Sequence, residues 1–359
     1  MRHYHITVLP GDGIGSEVIP AGVRALEALA EAGGEFRVDV VTFPWGSEWY
    51  LKHGVMMPPD GIQVLERAGS DAILLGPIGD PRVPDHITLW GLLLPIRQQF
   101  DQYVNLRPMR LLPGVTSPLA AKGPKDINMV CVRENTEGEY AGIGGRVHVG
   151  AGNEVAIQET VFTRSGTERV IRYAFEYART HGRKKVTSAT KSNAMQYSMV
   201  FWDDVFRSVA SEYPGIEHEQ QLVDSLAARF VAKPETLDVV VASNLFGDIL
   251  TDLGAAISGS MGIAPSANLN PERKHPSLFQ AIHGSAPDIS GRGIANPLGT
   301  IWSVQLMMDH LGEKQAAAAL MGAIETLVRD ARVKTPDLGG HATTREVTDA
   351  LCTLIRGKK

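Results

Sequence analysis

The sequence predicts an α/β protein with two domains on a largely parallel sheet. Apolar strands alternate with amphipathic helical patterns along most of the 359 residues, which is the rhythm of βαβ units. The length also exceeds the size at which one hydrophobic core keeps growing, so two domains are expected.

The predicted elements follow the periodicity of the apolar residues. The chain opens with a strand at His5–Leu9, the turn Gly11–Gly15 and a helix from about Glu17 to Ala32. Further strands are predicted over Phe36–Phe43, Asp71–Gly76, Ile127–Arg133, Glu154–Phe162, Lys185–Ala189, Leu237–Ser243 and Leu278–Ile282, and further helices over Gly61–Ala68, Thr167–Arg179, Met195–Glu212, Gly247–Gly259 and Gly299–His310.

One stretch, Tyr140–Phe162, breaks this rhythm. Two alternating segments flank a glycine-rich turn at Ala141–Arg146, which predicts a projecting hairpin arm over about residues 140–162. A two-stranded hairpin is marginal by itself, so a partner subunit is the natural place to bury it. An internal hairpin on the sheet edge is the alternative.

Composition excludes several classes of partner. The net charge of −5 leaves no basic footprint for nucleic acid or for an anionic membrane. There is no apolar run of membrane-spanning length and no signal-peptide core, so a cytoplasmic protein is expected. The two cysteines, Cys131 and Cys352, lie far apart in apolar runs and are expected to be reduced. The eleven histidines show no H-x₃-H spacing, which argues against a histidine metal site.

The turn Gly11-Asp12-Gly13-Ile14-Gly15 follows a strand but is not a dinucleotide-binding fingerprint. Ser16 stands where the third glycine of that motif belongs. A tight structural turn is predicted, with a backbone approach to a ligand as the alternative.

Two aspartates give the most informative chemical signal. Asp248 and Asp252 are four residues apart at the start of a helix that follows an apolar strand, and so they share one helical face. Neighbouring carboxylates repel each other unless a hard divalent cation such as Mg²⁺ or Mn²⁺ lies between them. The alternative is an early-turn acid favoured by the helix dipole beside a solvated one.

Basic and phenolic side chains supply the complementary chemistry. Three arginines, Arg97, Arg107 and Arg133, stand in apolar or strand-end contexts. A guanidinium group binds a carboxylate through two parallel hydrogen bonds, so these residues are candidates for binding an acidic substrate. Structural ion pairs are the alternative. Lys191 follows a strand, where a general base is well placed. Tyr140 is a candidate proton donor, whereas Asp224 is uninformative by itself.

The loop at His283-Gly284-Ser285-Ala286-Pro287-Asp288-Ile289 also follows a strand. Backbone N–H groups of such a loop can approach phosphates. An acid just beyond it binds ribose hydroxyls and repels a 2′-phosphate, so Asp288 indicates NAD over NADP.

Taken together, these motifs resemble the β-decarboxylating dehydrogenases, the family of isopropylmalate, isocitrate and tartrate/D-malate dehydrogenases. The resemblance runs along the whole chain, through Gly11–Gly15, Asn105–Pro108, Arg133–Tyr140, Lys191–Asn193, Asn244–Gly254, His283–Ile289 and Ala295–Pro297. It implies an isopropylmalate dehydrogenase-like fold on a shared mixed sheet, not a Rossmann fold. The first domain would comprise residues 1–106 and 262–359, and the second residues 107–261.

The resemblance also implies roles for the site residues. The three arginines would bind substrate carboxylates, and Asp248 and Asp252 would hold Mg²⁺ or Mn²⁺ together with Asp224 of the second subunit. Lys191 of that subunit would be the base, so that a homodimer shares its active sites. The NAD-binding residues would be His283, Gly284, Ser285, Ala286, Asp288, Ile289 and Asn296. A K⁺ requirement is left open.

Trp90 bears on the choice of substrate. Isopropylmalate enzymes resemble one another in carrying a glutamate here, and an indole would fill the room that an isopropyl group needs. The Asp85-His86-x-x-Leu89-Trp90-Gly91 pattern is most similar to the tartrate/D-malate branch. Oxidation of tartrate and decarboxylation of D-malate are therefore expected, with 3-isopropylmalate as the alternative substrate. Trp90 as plain packing, and a non-catalytic regulatory subunit, are the remaining alternatives.

Overall fold

The computed structural model describes residues 1–33 and 35–357. Its strands are β1 (Arg2–Leu9), β2 (Phe36–Thr42), β3 (Ala72–Leu75), β4 (Val104–Arg110), β5 (Asn128–Glu134), β6 (Gly144–Val147), β7 (Val155–Gln158), β8 (Lys185–Thr190), β9 (Glu217–Leu222), β10 (Val239–Ala242), β11 (Pro265–Leu269) and β12 (Ser277–Ala281). Within the described residues, ten of them form one sheet in the order β2-β1-β3-β12-β11-β4-β5-β10-β8-β9. The predicted mixed sheet is confirmed.

The strands of this sheet fall into two parallel groups that run in opposite directions. β2, β1, β3 and β12 are mutually parallel, as are β5, β10, β8 and β9. Antiparallel pairing of β11 with both neighbours, and of β4 with β5, joins the groups. The carboxyl ends of β5, β10, β8 and β9 therefore lie at one edge, and those of β1, β3 and β12 at the opposite edge.

Helices cover the sheet. They are α1 (Gly15–Gly33), α2 (Ser47–His53), α3 (Gly61–Arg67), α4 (Asp85–Thr88), α5 (Leu94–Gln99), α6 (Arg164–Thr180), α7 (Ser198–Ala210), α8 (Val223–Ala232), α9 (Asn244–Ile257), α10 (Leu298–Leu311), α11 (Lys314–Asp330) and α12 (Thr344–Ile355). A π-helical turn, Leu89–Leu93, joins α4 to α5. No helix in the described ranges is long and apolar enough to cross a membrane.

Two buried clusters hold the fold together. The larger one runs along the sheet beneath α1, α6, α7 and α10, and the central strand β10 contributes four consecutive buried residues, Val239 to Ala242. The smaller one, around Leu75, Ile96 and Phe100, packs α3 and α5 against the opposite face of β3. Strands buried on both faces explain the near-continuous apolar runs in the sequence.

The hairpin segment lies outside the ten-stranded sheet. β6 and β7 pair only with each other among the described strands, and a bridge between Gly138 and Val161 closes the base. All eight strand residues are exposed, including Val155 and Ile157. Its role as a dimerisation arm stays a prediction, as does the division into domains, whose limits fall within β4 and in the 3₁₀ turn Met261–Ile263.

Candidate active site

Three buried arginines form the centre of the site. β4 and β5 carry Arg107 and Arg133 on adjacent antiparallel strands, and Arg97 reaches them from α5. All three are at most 5% exposed. Burial and the charge of Arg133 lower the pKa of Arg107 to about 10, and burial with both neighbouring guanidinium groups lowers the pKa of Arg97 well below its usual range. The Nε atoms of Arg97 and Arg107 have no hydrogen-bond partner among the described residues.

The two aspartates of α9 face this cluster. Arg107 Nη1 lies 3.4 Å from Asp248 Oδ1 and 3.8 Å from Asp252 Oδ1, and Arg133 Nη1 also pairs with Asp248. Burial would raise the pKa of Asp248, but the three guanidinium groups outweigh it and the pKa is lowered. Burial raises the pKa of Asp252, although its side chain is still 59% exposed. Both carboxylates therefore face Arg107 Nη1, and both are partly open to solvent, Asp252 more than Asp248.

Tyr140 completes this side of the site. Its hydroxyl donates to Asp248 Oδ2 over 3.3 Å, and the Arg133 guanidinium lies 5.6 Å from the ring centroid. Burial and the charge of Asp248 raise the pKa of the phenol. Tyr140 therefore stays protonated at neutral pH and can donate a proton.

Lys191 and Asp224 form a separate pair. Lys191 follows β8, and Asp224 stands in the first turn of α8, directly after β9; Lys191 Nζ lies 2.7 Å from Asp224 Oδ1. This hydrogen bond lowers the pKa of Asp224. The pair has no hydrogen bond or ion pair to the arginine–aspartate cluster in the described residues, and Asp224 does not join Asp248 and Asp252 there as a ligand group. The predicted site residues of one chain thus form two separate groups.

Trp90 lies in the π-helical turn, close to the catalytic candidate Tyr140. Both line a cavity of about 560 Å³, together with Leu94 and Met195. The indole packs against Gly142, where an added Cβ would stand 2.6 Å from the ring. Because Trp90 is 39% exposed, its ring presents a wall to this cavity.

The loop after β12 lies at the opposite edge of the sheet, against the turn after β1. Ile14 N donates to Ser285 O over 2.9 Å, and a Cβ on Gly13 would meet that same oxygen at 2.1 Å. Gly284 and Asp288 are exposed, whereas Ala286 and Ile289 pack against the apolar cluster around Ile14.

Helix α9 bridges the two edges. It begins beside the arginine cluster, where Asn244 Oδ1 accepts a hydrogen bond from Arg133 Nη2 over 2.7 Å. Its far end leads to Gly262, where an added Cβ would lie 3.0 Å from Asn296 Cβ. Asn296 Nδ2 in turn donates to Asp337 Oδ2 over 2.9 Å. Helix α9 and the turn after it thus connect the predicted metal residues with the predicted cofactor residue Asn296.

The sequence profile of the isocitrate/isopropylmalate dehydrogenases matches residues 5–351. The chain belongs to this family. It is 54% identical over 362 residues to the D-malate dehydrogenase [decarboxylating] of Escherichia coli, covering 99% of each chain. It is 51% identical over 356 residues to the tartrate dehydrogenase/decarboxylase of Pseudomonas putida, covering 97% of this chain and 96% of that one. Among solved structures, isocitrate dehydrogenase from Methylococcus capsulatus superposes with a TM-score of 0.88 at 35% identity, covering 98% and 99% of the two chains.

The donor set of this family member fits a hard divalent cation. Asp248 and Asp252 each place a carboxylate oxygen within 4 Å of Arg107 Nη1, and the Asp252 side chain stays open to solvent. The loop after β12 fits an extended polar ligand, since His283 Nε2 is buried without a partner and nothing lies within 4 Å of a Cβ added to Gly284. Burial lowers the pKa of His283, which is therefore neutral and able to donate or accept one hydrogen bond.

Sequence reasoning missed two residues that shape the site. Asp12 is buried, and its carboxylate accepts hydrogen bonds from Ser47 N (2.8 Å), Ser47 Oγ (2.7 Å) and Gly79 N (2.8 Å), which fixes the turn behind the loop after β12. Glu139 caps α9, because it accepts from Ser243 Oγ at 2.7 Å and Leu245 N at 3.0 Å. For Asp12 the sequence offered one signal, an acidic side chain between Gly11 and Gly13 in a turn.

Proposed function

We propose that this chain is an NAD- and Mg²⁺- or Mn²⁺-dependent dehydrogenase that oxidises tartrate and oxidatively decarboxylates D-malate. The observation that carries the proposal is the buried arginine cluster with unpaired Nε donors on Arg97 and Arg107. A buried guanidinium without an anion is costly. A substrate with two carboxylates supplies the missing acceptors, and guanidinium forks hold such groups in a fixed orientation.

Two bound groups would supply the redox and electrophilic chemistry. His283, Asp288 and Asn296 would hold the adenosine half of NAD, and the nicotinamide ring of the same cofactor would supply an acceptor for the hydride on C2 of the substrate. Asp248 and Asp252, with Asp224 of the partner subunit, would hold the cation, which lowers the pKa of the substrate hydroxyl. The exposed carboxylate of Asp252 supports the second assignment.

Lys191 of the partner subunit would take the hydroxyl proton. The 2.7 Å contact between Lys191 and Asp224 supports delivery of both residues by one subunit, because a pair joined in this way moves together.

Tyr140 would complete the reaction. Oxidation of D-malate gives a β-keto acid whose loss of CO₂ leaves an enol that needs a proton on carbon. The Tyr140 hydroxyl holds such a proton beside Asp248, and burial keeps the phenol protonated. Transfer from this hydroxyl returns the product to its keto form.

The names of the relatives and the position of Trp90 support the choice of substrate. The relatives at 51–54% identity are named for tartrate and D-malate, and the Trp90 indole occupies one wall of the cavity that Tyr140 also lines. A substrate with a hydrogen or hydroxyl at C3 leaves room for this ring, whereas an isopropyl substituent competes with it.

An assay of NADH formation tests this proposal. With Mn²⁺ present, D-malate, the tartrate isomers, 3-isopropylmalate and isocitrate are compared by kcat/KM, and CO₂ release is followed in parallel. D-malate and tartrate are expected to lead. A higher kcat/KM for 3-isopropylmalate would replace the proposed substrate, and no NADH with any of the acids would favour a regulatory subunit.

A variant of the proposed base separates its role from binding. Lys191→Met should reduce kcat at least 1,000-fold while NAD binding, followed by fluorescence, changes less than twofold. Lys314→Met, which removes an exposed lysine that pairs with Asp309 on the surface, is the matched control and should keep full activity. Equal loss of NAD binding and of turnover in Lys191→Met would contradict the assignment.

A further inference from the structure

We infer that His3, His5 and Asp39 form a second metal site, suited to Zn²⁺, Ni²⁺ or Cu²⁺, on the outer end of the sheet. It is the one group of three or more histidine, cysteine and acidic side chains in residues 1–33 and 35–357 whose ligand atoms all lie within 4.8 Å of one another. It lies on β1 and β2, apart from the residues of the candidate active site.

Strand geometry brings the three side chains together. His3 and His5 are two residues apart on β1, so they point to the same side of the strand. β2 runs parallel to β1 and places Asp39 opposite His5. His3 Nε2 lies 2.8 Å from Asp39 Oδ2, His5 Nδ1 lies 3.9 Å from the same oxygen, and the imidazole centroids are 4.8 Å apart.

These distances are within reach of a bound ion. Bonds of about 2.0–2.2 Å to nitrogen and oxygen place the ligand atoms of a tetrahedral ion about 3.3 Å apart. Small side-chain rotations bring the present spacings to that value, one by opening and one by closing, because His3, His5 and Asp39 are 48%, 48% and 60% exposed. The exposure also leaves the remaining coordination positions to water, as in two-histidine, one-carboxylate zinc sites.

The ligand types separate this site from the acidic pair on α9. Imidazole suits Zn²⁺, Ni²⁺ and Cu²⁺, whereas Mg²⁺ and Mn²⁺ prefer sets of oxygen ligands. Arg37, opposite His3, is a nearby cation that lowers affinity. Hydrogen bonds between β1 and β2 fix the backbone positions of His3, His5 and Asp39 before an ion binds. We therefore expect a dissociation constant in the micromolar range.

Binding of Zn²⁺ to the full chain tests the site. Isothermal titration is performed with Mg²⁺ at about 10 mM, so that the acidic pair on α9 is already occupied. We expect one Zn²⁺ per chain, with affinity reduced at least tenfold in His3→Gln, in His5→Gln and in Asp39→Asn. His341→Gln, which removes an exposed histidine elsewhere, should bind Zn²⁺ as the unaltered protein does.

Thermal unfolding provides a second measurement that does not depend on activity. An ion that binds only the folded chain raises the melting temperature, so Zn²⁺ should raise Tm in the unaltered protein and in His341→Gln but not in His5→Gln. The Tm values without Zn²⁺ show whether each variant folds. No Zn²⁺ binding at 100 μM, or unchanged affinity in His5→Gln and Asp39→Asn, would overturn the inference.

Discussion

Replacing Arg97 should stabilise the unliganded protein and disable it as an enzyme. The Arg97 side chain is buried, makes no hydrogen bond or ion pair with a described residue, and is repelled by Arg133 and Arg107. Met in its place keeps an unbranched apolar stem and removes the buried charge. Such exchanges of a buried charge for an apolar group are often stabilising by about 1–4 kcal/mol.

The neighbouring Arg107 sets the scale of the effect. Burial and Arg133 lower its pKa to about 10, and a depression of that size below the usual guanidinium pKa corresponds to roughly 3 kcal/mol of unfavourable free energy for the charged form. Arg97 lacks the ion pairs and the Thr251 hydrogen bond that Arg107 has. We therefore expect Arg97→Met to raise the free energy of unfolding by about 1–3 kcal/mol, or Tm by roughly 1–4 °C for a chain of this length.

Melting curves in EDTA without substrate, and steady-state kinetics with D-malate, check both halves of the prediction. The loss of a carboxylate-binding guanidinium should lower kcat/KM at least 100-fold. Arg169→Met is the control, and it should lower Tm while leaving kcat/KM unchanged. Arg169 donates two 2.8 Å hydrogen bonds to Asp101, and its guanidinium lies 4.0 Å from the centroid of the Tyr103 ring, so its removal loses stabilising contacts. A lower Tm for Arg97→Met, or a kcat/KM within twofold, would refute the reasoning.

Three further predictions concern specificity and pH. Trp90→Ala should raise the ratio of kcat/KM for 3-isopropylmalate to that for D-malate at least tenfold, and an unchanged ratio would make the indole mere packing. Asp288→Lys should shift the preference from NAD toward NADP by at least tenfold in kcat/KM; the proposal that Asp288 reads the 2′-hydroxyl fails if the preference stays. Burial lowers the pKa of His310 to about 4, so on acidification this histidine takes up a proton in the unfolded chain before it does so in the folded one. The free energy of unfolding should therefore be at its full value above pH 6.5 and fall by roughly 2–3 kcal/mol as the pH decreases toward 4. Urea unfolding of His310→Gln at pH 7 and pH 4.5 should show a correspondingly smaller loss than the unaltered protein.

The buried strands and amphipathic helices were predictable from the sequence because their periodicity is set by burial. The helix predicted from Glu17 to Ala32 is α1, and the strand predicted at Asp71–Gly76 is β3, with boundaries a few residues different. Boundaries shift because caps and turns, not periodicity, decide where an element ends. The helix predicted from Gly247 begins three residues earlier, at Asn244. The Glu139 carboxylate accepts a hydrogen bond from Leu245 N, one of the first N–H groups of the helix, which have no acceptor within it.

Other elements gave no local signal. β9 reads Glu-His-Glu-Gln-Gln-Leu and is a strand because it pairs with β8 along six residues, an interaction that no local window contains. β4 alternates only over Val104–Arg107 before Pro108, too short a pattern to predict a central strand that contains a proline, and its pairing with β11 and β5 makes it one. The change of strand direction at β11 likewise depends on pairing between distant segments, so the βαβ rhythm alone predicted a more parallel sheet.

For the site, residue chemistry predicted candidate side chains but could not show which of them lie close together. The structure brings the three arginines, Asp248, Asp252 and Tyr140 into one cluster. It keeps Lys191 and Asp224 apart from that cluster within a chain, in a pair of their own. The absence of H-x₃-H spacing argued against a histidine metal site, yet that spacing belongs to helices. On a strand the corresponding spacing is two residues, and this is the spacing of His3 and His5 on β1, where we infer a metal site.

The pairing of β3 with β12 has a consequence for synthesis on the ribosome. Leu74 and Phe279 are adjacent in the sheet but 205 positions apart in the chain, and α1 packs against α12 near the other terminus. At translation rates of about 5–20 residues per second, the amino-terminal strands wait roughly 10–40 s for their neighbour to emerge. During that interval the edge of β3 is unpaired, so nascent chains are most exposed to aggregation and to chaperone binding before residue 281 has been made.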